Sequence, residues 1–495
     1  MRPLVIGLDS STTASKALAF DAQGGVVAQS NVKIPLSCPQ PGYFEQDPDD
    51  WWRSAARALS EVAQQINPGR IVALAVSNQR ETFVPLDPTG TPLRPAIVWL
   101  DERCKDMVEV FSSKVGRTRL HRITGKPPDY APVLYRLAWM KLHETNLFKK
   151  IHRVCDVHTY LAWRLSGEFR TSWASADPLG LMDLRSKTWS QAVLQPLGMD
   201  KRQLPEAFCP GTVIGRITPE ASRSTGLERG TPIVAGGGDG QCAGLGSNIL
   251  VSTRAYLNLG TAVVAGVFGK RYRADRAFRT MLSCSENGYY YECSLRAGTF
   301  AVDWLLRQVL KIDPARSPGI YAELESEAKS VKPGSDGVLF LPYLCGAMNP
   351  YWDMNARGAF VGLTSYHGRG HLYRAILEGI AFEQALALQA VEAAIGSHVR
   401  EVATIGGGST SDLWCRIFAD VTGKTLEFQR HPEASALGAA IAAAVGARWY
   451  PTFSSAAVAM TGHDRIMHPD AQNRKVYRAL SVKYSQLYRS LKAFQ

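Results

Sequence analysis

Long apolar segments are absent from this sequence of 495 residues. None of its apolar runs approaches the ~18–20 residues that a membrane-spanning helix requires. The chain starts with Met1-Arg2-Pro3 and passes directly into an apolar segment typical of a strand, without the pattern of a secretory signal peptide. We therefore expect a cytoplasmic protein that has no membrane partner.

Closely spaced cysteines are also absent. The nine cysteines are odd in number and scattered, and no two of them are separated by only two residues. Disulfide frameworks and zinc sites need cysteines in regular or close pairs. We therefore expect reduced cysteines, which agrees with a cytoplasmic location, and neither a disulfide framework nor a zinc site.

Two common nucleotide-binding motifs are missing. No glycine cluster fits the G-x-G-x-x-G pattern of a Rossmann dinucleotide site. Gly423-Lys424-Thr425 is similar to the end of a P-loop, but Phe418 stands where that motif begins with glycine. A nucleotide would therefore have to bind to another kind of turn.

A concentrated basic segment is missing as well, although the formal net charge is +12. Lysines and arginines are spread over the chain, and no basic block carries interleaved aromatic residues. Nucleic-acid binding depends on a local concentration of positive charge, so we expect no nucleic-acid partner. The surplus of positive charge instead favours small anionic substrates or is incidental.

The length and composition are those of a globular protein with several domains. Hydrophobic residues make up 45% of the chain and charged residues 20%, which is usual for soluble proteins. Single hydrophobic cores stop growing near ~250–300 residues, so a chain of 495 residues predicts more than one domain.

A hairpin with a hydroxyl-rich turn is predicted over residues 4–21. Two apolar runs rich in β-forming residues flank this turn. Asp9 lies near the end of the first run, where its carboxylate could hold a hydrated Mg²⁺. Hydroxyl groups and backbone N–H groups of such a turn can bind a phosphate. The candidate phosphate-binding residues are Ser11, Thr12, Thr13 and Lys16.

A second hairpin of the same kind is predicted over residues 255–268. A β-rich run leads into the small turn Gly260-Thr261 and back into an apolar run. The two hairpins lie about 250 residues apart, which indicates two similar halves that bind one polyphosphate between them.

A glycine-rich strand end between the two hairpins carries a single acid. Residues 232–238 form an apolar run that ends in three glycines, and Asp239 follows them. Glycines let the backbone approach a ligand closely, so the carboxylate could serve as a general base there. An acid in such a loop is also a common turn former or helix N-cap.

These motifs resemble those of the FGGY carbohydrate kinases, and the resemblance covers nearly the whole chain. No single motif is specific, but all of them occur in the order that the family shows. The further matching segments are residues 42–51, 96–103, 341–346, 358–363, 371–379 and 405–423.

The resemblance implies an α/β fold with two actin-like (ribonuclease-H-like) ATPase domains around a central cleft. The N-terminal domain, residues 1–250, would hold the sugar pocket, the first phosphate turn and the catalytic base. The C-terminal domain, residues 251–495, would hold the second phosphate turn, the adenosine site and a C-terminal helix. ATP and Mg²⁺ are the implied cofactors.

The resemblance also implies roles for individual residues. Asp239 matches the catalytic base and Asp9 the acid that holds Mg²⁺ through water. The implied substrate-binding residues are Gln79, Arg80, Glu81, Trp99, Asp101 and Asp239. The implied nucleotide-binding residues are Ser11, Thr12, Thr13, Lys16, Gly260, Thr261, Gly298, Gly407, Gly408 and Ser411.

Three segments point to two different acceptors. Asn78-Gln-Arg-Glu-Thr82 is similar to glycerol kinases, whereas Gly236-Gly-Gly-Asp239 and Leu341-Pro-Tyr-Leu-Cys-Gly346 are similar to xylulokinases. We expect conversion of D-xylulose to D-xylulose 5-phosphate, with glycerol or another ketopentose or polyol as the alternative. A catalytically inactive actin-like scaffold is a further alternative, which the retained Asp239 argues against. The resemblance leaves open whether the protein is a homodimer.

Overall fold

A computed structural model describes residues 2–494 as an α/β structure. The described strands are β1 (Leu4–Ser10), β2 (Ala14–Phe20), β3 (Val26–Lys33), β4 (Glu45–Gln46), β5 (Ile71–Asn78), β6 (Phe83–Leu86), β7 (Ala96–Ile97), β8 (Arg153–Asp156), β9 (Arg170–Ser172), β10 (Met182–Asp183), β11 (Thr188–Trp189), β12 (Glu206–Phe208), β13 (Val213–Arg216), β14 (Pro232–Gly238), β15 (Arg254–Leu259), β16 (Val263–Gly269), β17 (Arg279–Leu282), β18 (Tyr289–Leu295), β19 (Leu339–Leu341), β20 (Ala359–Val361), β21 (Glu401–Ile405), β22 (Thr425–Gln429) and β23 (His463–Met467).

The described helices alternate with these strands over most of the chain. They are α1 (Pro48–Gln65), α2 (Lys105–Val115), α3 (Arg117–Thr124), α4 (Val133–His143), α5 (Thr145–Phe148), α6 (Val157–Ser166), α7 (Trp173–Ala176), α8 (Gln191–Leu197), α9 (Pro219–Thr225), α10 (Asp239–Gly246), α11 (Thr299–Trp304), α12 (Ile320–Ser330), α13 (Arg369–Ile395), α14 (Asp412–Thr422), α15 (Ala434–Gly446), α16 (Phe453–Met460) and α17 (Ala471–Leu491). Within the described part of the chain, no helix is both long enough and apolar enough to cross a membrane.

Two mixed sheets repeat one strand pattern. In the N-terminal sheet the order is β13-β14-β5-β1-β2-β3, and in the C-terminal sheet it is β17-β18-β16-β15-β21-β22-β23. In each sheet, three neighbouring strands are antiparallel: β1, β2 and β3 in the first, and β15, β16 and β18 in the second. Two further strands lie parallel beside the first of these: β5 and β14, and β21 and β22. The repeated order confirms the predicted α/β fold with two actin-like domains. It also confirms both hairpins, β1–β2 and β15–β16.

The N-terminal sheet is covered on both faces, and the alternation of side chains in β1 shows how. Ile6 and Leu8 pack in the core that contains α1, whereas Val5 packs in the core that contains α15. Successive side chains of a strand point to opposite faces, and a strand buried on both faces is apolar throughout. This explains the uninterrupted apolar run before Asp9.

Helix α15 lies far along the chain but packs against the N-terminal sheet and against α10. The contact is close: a Cβ atom on Gly438 would lie 1.9 Å from the carbonyl oxygen of Cys242, and one on Gly7 would lie 1.9 Å from that of Ala436. Only glycine leaves room for backbones at this separation. Residues 251–495 are predicted to form the second domain, and that boundary stays a prediction. In space, α15 belongs to the core of the first sheet.

Candidate active site

Asp9 lies near the end of β1, with its carboxylate buried beside the first turn. The Ser77 hydroxyl donates a hydrogen bond of 2.6 Å to its Oδ1. Burial raises the pKa of Asp9 to about 7, although the bond from Ser77 lowers it, and the nearby carboxylates of Asp239 and Glu433 raise it further. This carboxylate is therefore placed where a cation would stabilise its ionised form.

Two hydroxyl groups of the turn between β1 and β2 form hydrogen bonds within the protein. The hydroxyl of Ser11 donates to the carbonyl of Ala14 at 2.9 Å, which closes the turn. The hydroxyl of Thr12 accepts a 2.8 Å bond from the indole N–H of Trp99, while Thr13 is exposed. Trp99, predicted to bind the substrate, thus also supports this turn.

Lys16, predicted to add a positive charge to the first turn, forms an ion pair with Glu433 at 2.7 Å. Glu433 comes directly before α15. The ion pair therefore ties β2 to the distant segment of the chain that packs on the first sheet.

The second turn forms one unit with the start of α11. The N–H of Gly298 donates to the carbonyl of Thr261 at 2.8 Å, and the N–H of Thr299 donates to that of Gly260 at 3.0 Å. A Cβ atom on Gly298 would lie 2.5 Å from the Gly260 carbonyl oxygen. The three predicted residues Gly260, Thr261 and Gly298 are therefore brought together.

The glycine turn after β21 has one open and one packed glycine. Gly407 is exposed, and a Cβ atom there would meet nothing within 4 Å, whereas one on Gly408 would lie 2.5 Å from the ring of Trp414. The hydroxyl of Ser411 accepts a 3.2 Å bond from the Trp414 N–H and caps α14. Gly407 leaves space for a flat ligand, while Gly408 and Ser411 also have structural roles.

Asp239 is the first residue of α10, directly after β14. Gly238 occupies the N-cap position, so Asp239 is not the cap that the sequence left as an alternative. Its Oδ1 accepts a bond from the Gly240 N–H at 2.7 Å and forms an ion pair with Arg80, whose Nε lies 3.0 Å away. Its side chain is 40% exposed. Partial burial raises the pKa of Asp239 above its ordinary value, although Arg80 lowers it.

Arg80 and Glu81 form ion pairs with Glu292 and Arg279, two residues that no sequence motif predicts. Arg80 Nη1 donates to Glu292 at 2.8 Å, Arg279 Nε donates to the same carboxylate at 3.0 Å, and Arg279 Nη1 donates to Glu81 at 2.9 Å. Glu292 is fully buried and also accepts a bond from the Tyr256 hydroxyl. Burial would raise the pKa of Glu292, but the two guanidinium groups hold it at about 2.

A signal for Glu292 was present in the sequence. It is the one acid in the otherwise uncharged strand Tyr289–Leu295, and an acid buried in a strand needs a cationic partner. Its two partners lie 212 and 13 positions away in the chain. Glu81 also has a positive φ of 55°, a strained conformation for a non-glycine residue that recurs at functional sites.

Two predicted substrate residues have their polar groups occupied. Asp101 accepts bonds from the N–H of Phe44 and, through both carboxylate oxygens, from the backbone and guanidinium of Arg103. Gln79 is buried and donates to Gln46 at 2.8 Å. Their contact with an acceptor stays a prediction. The observed hydrogen bonds show that both residues also hold neighbouring segments of the chain in place.

The donor set fits Mg²⁺ only if a substrate supplies further ligands. Within residues 2–494, no three histidine, cysteine, aspartate or glutamate side chains are grouped so that they could hold a metal ion. Mg²⁺ commonly keeps several waters and binds one or two carboxylates together with substrate phosphates. Asp9, with one hydrogen bond from a side chain and a raised pKa, suits that arrangement.

The sequence and the fold are similar to those of known carbohydrate kinases. Residues 4–246 match the N-terminal domain, and residues 255–447 the C-terminal domain, of the FGGY family of carbohydrate kinases. The chain is 29% identical to xylulose kinase of Escherichia coli over 99% of both chains. It is 25% identical to gluconokinase of Bacillus subtilis over 99% of this chain and 96% of that one. The crystal structure of xylulose kinase from Rhodospirillum rubrum superimposes with a TM-score of 0.91 at 30% identity, covering 99% of both chains.

Proposed function

Since the chain belongs to the FGGY family of carbohydrate kinases, and is therefore an enzyme that phosphorylates a sugar with ATP as the phosphate donor, we propose that it converts D-xylulose to D-xylulose 5-phosphate. The observation that carries the proposal is the placement of Asp239, a partly exposed carboxylate at the end of a buried strand, whose negative charge helps to raise the pKa of Asp9 in the first phosphate turn.

Asp239 acts as the general base in this proposal. The 5-hydroxyl oxygen of the sugar forms a bond to the γ-phosphorus, the bond from that phosphorus to the ADP oxygen breaks, and the hydroxyl proton passes to Asp239. Phosphoryl transfer depends mainly on alignment and charge neutralisation, to which a positioned base adds ~10²–10⁴-fold. The raised pKa of Asp239 makes it a better proton acceptor than an ordinary carboxylate.

The two turns bind the phosphates of ATP in this proposal. Backbone N–H groups near Thr13 and Thr261 and the open space at Gly407 provide donors and room for the nucleotide. Asp9 would hold Mg²⁺ through water. When bound, Mg²⁺ neutralises negative charge on the β- and γ-phosphates.

The charge of the acceptor region favours a neutral sugar over gluconate. Two guanidinium groups, from Arg80 and Arg279, meet the three carboxylates of Glu81, Asp239 and Glu292, which leaves this cluster with a net charge of −1. A negatively charged sugar acid would be repelled there. Glycerol remains the second candidate, because the segment Asn78–Thr82 is similar to glycerol kinases.

An ATP-consumption screen tests the proposal. D-xylulose, D-ribulose, L-ribulose, glycerol, erythritol and gluconate are each supplied with Mg-ATP, and kcat/KM is compared. We expect D-xylulose to exceed every other acceptor by at least about tenfold, the discrimination that ~1.4 kcal/mol gives. A higher value for glycerol or gluconate would overturn the substrate assignment. ATP binding without turnover on any acceptor would favour the scaffold.

A further inference from the structure

A chain of four ion pairs connects Asp239 to Glu81 through the C-terminal sheet. It runs from Asp239 to Arg80 at 3.0 Å, to Glu292 at 2.8 Å, to Arg279 at 3.0 Å and to Glu81 at 2.9 Å. Arg279 belongs to β17 and Glu292 to β18, whereas the other three residues belong to the N-terminal half. Glu292 and Arg279 of the C-terminal half therefore lie between Arg80 and Glu81 of the N-terminal half.

Strand β17 is held against the N-terminal half by its backbone. The N–H of Thr280 donates to the Gly125 carbonyl at 2.8 Å, and the Thr280 carbonyl accepts a 2.7 Å bond from Lys126 Nζ. The N–H of Leu282 donates to Asp177 Oδ2 at 2.6 Å. These bonds occupy the edge of β17 that faces away from β18, so the position of Arg279 is set by the contact between the halves.

Glu292 limits how Arg80 meets Asp239. Both oxygens of Glu292 accept bonds from Arg80 Nη1, at 2.8 and 2.9 Å, while Arg80 Nε lies 3.0 Å from Oδ1 of Asp239. Without Glu292, the guanidinium could turn and pair with Asp239 through two parallel bonds, the favoured arrangement of arginine and carboxylate. The buried carboxylate therefore keeps Arg80 in a fixed orientation, with donors left for another ligand.

Arg279 acts in the same way on Glu81. Its Nη1 holds one oxygen of Glu81 while its Nε holds Glu292. Lysine has no planar fork and could not make both contacts in this geometry. The strained backbone of Glu81 is thereby supported from the C-terminal half.

We propose that Arg279 and Glu292 are positioning residues for the sugar, which makes the acceptor pocket a product of both halves of the chain. The inference rests on the proposed function, because it takes Arg80 and Glu81 as the groups that bind the acceptor hydroxyls. Sugar affinity then depends on the docking of β17, although neither Arg279 nor Glu292 needs to touch the sugar.

Steady-state kinetics with D-xylulose and Mg-ATP, together with calorimetric binding of D-xylulose alone, test the inference. The variants are Glu292→Gln, Arg279→Met and Arg279→Lys, each checked for folding by circular dichroism. We expect KM and Kd for D-xylulose to rise at least about tenfold in Glu292→Gln and Arg279→Met, with KM for ATP within about twofold. Arg279→Lys should recover part of the loss, since it keeps the charge without the fork.

Glu427→Gln is the matched control. Glu427 is also buried and also pairs with an arginine, Arg254, at 2.6 Å, but this pair is not part of the chain that reaches Asp239. Its KM for D-xylulose should stay at the parent value. Unchanged D-xylulose affinity in folded Glu292→Gln or Arg279→Lys would overturn the inference, as would an equal rise in both KM values. Absence of D-xylulose turnover by the parent enzyme would instead refute the proposed function.

Discussion

Asp239 combines a raised pKa with a single arginine contact and access to solvent. The neighbouring carboxylate of Glu292 is engaged more fully, because it accepts from two arginines and a tyrosine. A carboxylate that gives up several hydrogen bonds on protonation is a weak proton acceptor. Of these two acids, Asp239 is therefore the one suited to accept a proton.

The variant Asp239→Asn keeps the shape of the side chain but removes the proton acceptor. We expect kcat to fall by ~10²–10⁴-fold, the usual contribution of general-base catalysis. Binding of D-xylulose, measured by calorimetry, should change by less than about tenfold, because the amide keeps the shape of the carboxylate. A variant with near-normal kcat would exclude Asp239 as the base.

The buried acid Glu383 makes the free energy of unfolding depend on pH. Glu383 lies in α13, accepts a 2.8 Å bond from the Tyr343 hydroxyl, and has a pKa that burial raises from 4.5 to about 7. Between these two values the folded protein binds more protons than the unfolded chain, so the free energy of unfolding falls as pH rises. Above pH ~7, Glu383 is ionised in the folded protein, and the full free-energy cost of burying its charge is present.

Glu383→Gln removes this titration while keeping a polar partner for Tyr343. We expect the variant to be more stable than the parent at pH 8 by on the order of 1–3 kcal/mol, since one pKa unit corresponds to ~1.4 kcal/mol. The gain should shrink as pH falls towards 4.5. Chemical denaturation at pH 5 and pH 8 gives the comparison, and a stability difference that is equal at both values would contradict the assignment.

At the scale of elements, the sequence predicts those parts that depend on local patterns. The two hairpins follow from apolar runs around small or hydroxylated turns, and the strand–glycine–helix unit at Asp239 follows from its glycines. The ion pairs that hold the site residues in place do not follow from local patterns. Arg80 meets Glu292 across 212 positions and Lys16 meets Glu433 across 417. No local pattern encodes such pairs, because they arise only when the two halves dock.

The same limit applies to α15. Its sequence of alanines and glycines predicts a buried helix but not the surface on which it lies. Close approach of α15 to α10 requires Gly438, whose Cα faces the backbone of Cys242. The helix that carries Asp239 is thus positioned by a segment about 200 residues further along the chain.

Gly438→Ala should disturb both stability and activity. The added methyl group would meet the Cys242 carbonyl at 1.9 Å, so the helices must separate. Overpacking of this kind typically lowers the free energy of unfolding by about 1–3 kcal/mol, and displacement of α10 should also reduce kcat. Gly368→Ala is the control, because a Cβ atom there meets nothing within 4 Å and its φ is negative. Equal melting temperatures for both variants would refute the packing argument.

At the scale of the whole molecule, the two halves are joined at several points around the site. Ion pairs link Glu81 to Arg279, Lys16 to Glu433, and Asp129 to Arg296. In the proposed reaction the acceptor contacts lie mainly on the N-terminal half, and the adenosine contacts lie on the C-terminal half. Only a closed arrangement can satisfy both sets together, so the two ligands should favour closure.

Small-angle scattering can measure this closure. We expect the radius of gyration to decrease when D-xylulose and a non-hydrolysable ATP analogue bind together, and to change less with D-xylulose alone. Closure also excludes water from the γ-phosphate, so ATP hydrolysis without sugar should be slow. An unchanged radius of gyration in the ternary complex would refute closure of the two halves.

The contact of α15 with the first sheet has a consequence for synthesis on the ribosome. The last residue of α10 is Gly246, and α15 begins at Ala434, about 190 residues later. At ~5–20 residues per second, this interval lasts roughly 10–40 s. Throughout it, the face of the first sheet that carries Val5, Phe20 and Val234 lacks α15. The nascent N-terminal half therefore presents an apolar surface until the chain is nearly complete, and its safe folding depends on protection from neighbouring chains during that time.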